Sequence, residues 1–141
     1  MIEVVHYDPE LFALAGVHQP VHKLEVREDE LCVGYADLIY RRNPFPYFYI
    51  DFIEVKPSFR GLGYGSILVN TCNQFIRSNK KPGLLYNGIA DNSPVSGLYE
   101  RHGWTKLDAP ARWYGLDIPD SFPNHKVIVA ARKAYLSMLR S

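Results

Sequence analysis

Apolar residues dominate 2–7 (I-E-V-V-H-Y), which reads as a short first strand; apolar and polar residues alternate weakly through 21–27, and residues 31–40 are rich in strand formers. The charged stretch Glu28-Asp29-Glu30 between the last two predicts an antiparallel hairpin. Asp8, Pro9 and Gly16 carry the signals of one short helix: a cap, a first-turn proline and a terminating glycine. Arg41 to Pro46 holds two prolines and predicts a loop. Residues 47–55 (Y-F-Y-I-D-F-I-E-V) are apolar on both faces, as in a central strand. Strict alternation sets Tyr47, Tyr49, Asp51, Ile53 and Val55 on one face, and Phe48, Ile50, Phe52 and Glu54 on the other.

The period then changes. Ile67, Leu68, Thr71, Cys72, Phe75 and Ile76 share one helical stripe, which predicts a helix ending near Asn79, ahead of Pro82-Gly83. Residues 84–90 read as a strand with Gly88 as a bulge. A second helix is capped by Asp91, Asn92 or Ser93, has Pro94 in its first turn and stops at Gly103. Val95, Leu98, Tyr99 and His102 form its inner stripe, and Trp104 to Leu107 begins another strand. The tail is ambiguous: K-V-I-V-A-A-R fits a strand, while Val127, Ala131, Ala134 and Met138 fit a helix.

At 141 residues the chain fits one domain, 1–141, with no repeat or linker. A formal net charge of +1 gives no field that favours nucleic acid or an anionic membrane. No apolar run approaches the roughly 20 residues of a membrane span, and the N-terminus lacks the pattern of a signal peptide. Cys32 and Cys72 stand apart and predict reduced thiols, hence a cytoplasmic setting. His18 and His22 have helical spacing, but Pro20 between them argues against a metal site, and none is expected.

The segment V-K-P-S-F-R-G-L-G-Y-G-S, residues 55–66, places three glycines at alternate positions behind an arginine. Such backbone freedom needs a local reason, either positive φ or close backbone approach. Strand, glycine loop and helix start together form an anion site, because the first helical amides are unpaired and the helix dipole is positive there. Position 66 is Ser, which excludes the Rossmann spacing, and no Lys stands where a Walker loop needs one.

A second segment, D-N-S-P-V-S-G-L-Y-E-R-H-G-W, follows at 91–104. Val55, Pro57, Arg60, Gly61, Gly63 and Gly65, with Asn92, Leu98, Tyr99, Glu100, Gly103 and Trp104, make the pair of motifs. This pair resembles that of the GNAT superfamily of acyl-CoA-dependent N-acyltransferases, most closely over residues 47–107. The resemblance implies an α/β (α+β) fold: a mixed, mainly antiparallel sheet with splayed central strands, flanked by helices. It implies acetyl-CoA as co-substrate, with no metal, and an amine acceptor. Ile53 and Val55 would take the pantetheine arm, Arg60, Gly61, Leu62, Gly63, Tyr64, Gly65 and Ser66 the pyrophosphate, and Asn92 and Tyr99 the thiol end. Tyr99 would act on the departing thiolate, and Asp51 or Glu54 would be the base, Asp51 first.

Many members of that family place two helices after the first strand, where this chain has room for one. An open cleft, suited to a peptide amine or completed in a homodimer, is therefore expected. The Pro-rich segment 108–125 would fold over it, and Trp113 and Tyr114 would either wall it or pack in the core. A non-catalytic acyl-CoA-binding module is the rival reading, and CoA binding without turnover would single it out.

Overall fold

Strand-forming residues in the first third of the chain build a meander of four antiparallel strands: β1 (Ile2–Tyr7), β2 (Val21–Glu28), β3 (Leu31–Arg41) and β4 (Tyr47–Val55). The structure is a computed structural model describing residues 1–9, 21–87, 94–108 and 112–140. After β4 the chain passes through α1 (Tyr64–Ser78) and returns as β5 (Gly83–Tyr86), parallel to β4. Then come α2 (Pro94–Arg101), β6 (Thr105–Lys106), β7 (Trp113–Leu116) and α3 (Asn124–Arg140). The seven strands lie in the order β1-β2-β3-β4-β5-β7-β6. The mixed, mainly antiparallel sheet expected from the sequence is what forms.

The feature that matters for function is the β4–β5 pair. It is laddered only at Phe48–Gly83, Tyr49–Leu84 and Ile50–Leu85. Residues 51–55 of β4 continue past the ladder, whereas β5, paired with β7 throughout, ends at Tyr86, so that end of β4 has no β5 partner. Gly83 starts β5 because a Cβ there would lie 2.9 Å from the Trp104 ring.

One prediction from alternation fails inside β4. Asp37 pairs with Phe52 but Leu38 pairs with Ile50, so Asp51 is the extra residue of a bulge. The bulge reverses the faces beyond it. Ile53 and Val55 pack with Phe48 and Ile50 against Leu68, Val69, Cys72 and Ile76 of α1. Phe52 instead stacks on Tyr35, 5.3 Å away. Tyr47 and Tyr49 belong to a second core with Trp113 and with Val127 and Ala131 of α3.

The tail is a helix, because β7 already fills the strand position beside β5. Val127 and Ala131 are buried on it while Val129 is exposed, a helical period. Segment 108–125 is not simply a cover for a cleft, since it contains β7, whose Trp113, Tyr114 and Leu116 are at most 2% exposed. The short helix expected at 8–16, Gly88 and the caps at 91–93 fall wholly or mostly outside the described residues.

Buried Asn73 ties the second half together. Its side chain accepts from Trp104 Nε1 at 2.8 Å and donates to the His102 carbonyl at 2.8 Å. Asn73→Ala would leave both groups unpaired, and each such loss costs about 1–3 kcal/mol. A corresponding fall in urea-unfolding free energy is expected, with no change in slope.

On the α1 side of β1 and β2, His6 Nε2 lies 3.0 Å from His22 Nδ1, and both rings touch Phe75. Burial first, then His6, hold His22 below its ordinary value against the pull of Asp8. A depressed histidine contributes stability that is complete above its unfolded pKa, about 6.5, and is lost as pH falls through its folded value. The melting temperature is therefore expected to drop from about pH 7 to about pH 5, and His22→Phe should flatten that limb.

Candidate active site

A cavity of about 730 Å³ lies between the end of β4, the glycine loop, the first half of α1 and α2. Its near wall is the end of β4 beyond the β5 ladder, residues Ile53, Glu54 and Val55. Arg60, Gly61, Gly63, Gly65 and Ser66 form the next wall, Leu68, Val69 and Leu98 an apolar side, and Tyr99 and Arg101 the α2 side.

The glycines have two separate reasons. Gly61 and Gly63 hold φ of 79° and 89°, left-handed values that other residues adopt only with strain. A Cβ on either would meet nothing within 4 Å, so internal packing does not require them. Gly65 is already helical, and a Cβ there would come 3.2 Å from Leu98. Gly63 caps α1 without any side-chain hydrogen bond, and no acidic residue lies in the first turn. Among the described residues, no side chain caps the positive end of the helix at the cavity wall.

Arg60 does not reach over the loop. Its Nε donates to the Val55 carbonyl at 2.9 Å, and Nη2 lies 3.3 Å from Glu54 Oε1. Glu54 is therefore ion-paired. Leu62 is 67% exposed and Tyr64 packs edge-on against Phe59; the lining includes neither, nor Asp51, which sits exposed in the β4 bulge. Asn92 lies outside the described residues.

Tyr99 is 5% exposed, and its phenol is pushed up to about 12, by burial first and then by Cys72 and Tyr114. Its ring lies 5.8 Å from that of Tyr114. Cys72 is fully buried, with its thiol also pushed up to about 12, which makes it an unreactive core residue. Sequence reasoning missed Phe59, Leu68, Val69, Leu98 and Arg101. Leu68 and Leu98 read as inner-stripe residues, Phe59 and Val69 carry no signal of their own, and a cation in a last helical turn ordinarily answers the helix dipole.

Residues 3–104 match the acetyltransferase (GNAT) family. The chain belongs to this family. It is an acyltransferase, of a family that uses acetyl-CoA. Solved structures share the fold. A GNAT-family acetyltransferase from Desulfovibrio desulfuricans is 19% identical, with a TM-score of 0.61 over 82% of this chain and 98% of that one. The ribosomal-protein-S18-alanine N-acetyltransferase of Escherichia coli is 11% identical, with a TM-score of 0.62 over 86% and 99%. PaiA N-acetyltransferase of Thermoplasma acidophilum, in complex with coenzyme A, is 13% identical, with a TM-score of 0.56 over 77% and 66%. Comparison with curated proteins gives no match.

Proposed function

We propose that this GNAT protein moves an acetyl group from acetyl-CoA to a primary amine of a small molecule or peptide, directly, in a ternary complex. The observation that carries the reading is the cavity itself. It joins a strand end without a β5 partner, an uncapped glycine-lined helix start and a buried tyrosine. In this reading the amides at residues 63–66 hold the pyrophosphate, with Arg60 and Arg101 as cations. The pantetheine arm lies along residues 53–55 like an added strand. Arg60 couples the two ends: when it turns to the phosphates it releases the Val55 carbonyl for an amide of the arm. The thioester then lies against Tyr99; Asn92, the other residue that the family resemblance assigns to the thiol end, falls outside the described residues.

An alkylammonium of pKa ~10.4 must lose a proton before it attacks. Asp51 is the proposed base, directly or through water, since the bulge sets it where β4 leaves β5. Glu54 is the weaker candidate because Arg60 pairs with it in the resting site, and it becomes free only when Arg60 turns to the phosphates. Tyr99 at about 12 is a far weaker acid than a thiol near ~8.5, so its part is a hydrogen bond to the departing thiolate.

The test is incubation with acetyl-CoA and a panel of amines and peptides, following free thiol and acetylated product. Intersecting initial-rate lines are expected; parallel lines would mean a covalent acetyl-enzyme, and tight binding without thiol release would mean a binding module. Asp51→Asn should lower kcat/KM about tenfold near neutral pH and recover as pH rises, because the free amine then arrives unprotonated. Glu54→Gln should stay within about threefold of wild type. The reverse order would transfer the base to Glu54.

A further inference from the structure

Tyr114, on β7, is fully buried, and its hydroxyl has no hydrogen-bond partner among the described residues. A buried polar atom left unpaired is destabilising, and phenylalanine would fill the same space without that penalty. Tyr47 Oη and Trp113 Nε1 are also unpaired, but they lie in the core on the other face of the sheet. Tyr114 differs in its neighbour: its ring packs on that of Tyr99, 5.8 Å away and tilted by 54°, in the core behind the cavity.

We infer that Tyr114 is a positioning residue for acyl transfer, whose hydroxyl donates to the Tyr99 oxygen when charge gathers there. The inference rests on the acetyl-CoA reading above. As the new N–C bond forms and the C–S bond breaks, the electron pair left on sulfur draws on the Tyr99 O–H. Tyr99 Oη then gains negative character on a side chain only 5% exposed, and it needs a donor. Two titratable groups face it, the Cys72 thiol from α1 and the Tyr114 hydroxyl from β7. A thiol is a weak donor; a phenol is a good one, and this phenol is uncommitted. Tyr99 and Tyr114 both keep their protons: CoA departs as a thiolate hydrogen-bonded to Tyr99 and takes its proton from water once released. A hydrogen bond absent at rest and made as charge develops raises kcat without tightening substrate binding.

Coenzyme A itself serves as probe, so no acceptor is needed. Calorimetric affinity is measured near pH 7 and pH 9.5 for the full chain, for Tyr114→Phe, for Tyr99→Phe and for the double variant. A site that favours the thiolate lowers the pKa of bound CoA, so affinity rises with pH by about tenfold per unit of lowering. Wild type should show that rise. Tyr114→Phe should lose most of it, with affinity at pH 7 within about twofold and an unchanged or higher melting temperature. The double variant should match Tyr99→Phe alone, because Tyr114 acts only through Tyr99. An unaltered rise in Tyr114→Phe, or an equal further loss on the Tyr99→Phe background, would overturn the inference. A flat wild-type response would overturn it too while leaving the acetyl-CoA reading in place. Failure of wild type to bind CoA would remove both.

Discussion

Gly63→Asp is expected to weaken acetyl-CoA binding by at least about 100-fold, close to 3 kcal/mol, while the fold persists. The two halves of that expectation have separate grounds. A Cβ at Gly63 enters open space, so no packing is disturbed. The φ of 89° strains any side chain, but aspartate and asparagine are among the residues that tolerate the left-handed region best. Asp is also a good helix cap, and Gly63 is the cap of α1. Its carboxylate, however, would occupy the helix start at which the pyrophosphate is proposed to sit, placing like charge on like charge. Gly63→Asn has the same shape and backbone tolerance without the charge, so it should lose much less. If Asp and Asn variants bind alike, the loss is steric and not electrostatic. If Gly63→Asp binds as wild type does, the phosphates are not at the start of α1.

Why this loop was legible, and other parts of the site were not, follows from where the determinants lie. Gly61 and Gly63 are constrained locally, by positive φ values, and local constraints are written in the residue types; Gly65 is set instead by the approach of Leu98 from α2. The bulge at Asp51 depends on register with β3, and alternation within β4 cannot show it. So Ile53 and Val55 were assigned away from Phe48 and Ile50, although all of them pack toward α1. The tail was undecided because the choice between strand and helix there rests on whether the slot beside β5 is free. It is not, since four residues in a Pro-rich stretch had already formed β7. The Arg60–Glu54 pair was likewise invisible, as it joins a strand end to a loop residue whose direction the sequence does not state. For the bulge and the tail the missing information is a pairing between distant segments; for Arg60–Glu54, six residues apart, it is the direction of a side chain.

Tyr99→Phe should cut kcat by about 10²- to 10³-fold, within the usual range for a positioned proton or hydrogen-bond donor. KM for acetyl-CoA and the melting temperature should stay near wild type, because the ring is the part that packs. It lies in the core with Leu68, Val69 and Tyr114, and phenylalanine preserves all of that contact. Only the hydroxyl is lost, and it acts on a sulfur that carries charge late in the reaction. The raised value of about 12 adds a constraint on the pH profile. Tyr99 must be protonated to donate, so its titration would end activity only above the pH at which most domains unfold. The wild-type kcat profile should thus rise to a plateau with no alkaline fall below about pH 10. An alkaline limb near pH 8 or 9 that survives Tyr99→Phe would belong to another group. One that disappears in the variant would mean that bound cofactor, with Arg60 and Arg101 beside it, pulls the phenol down, making Tyr99 a true proton donor.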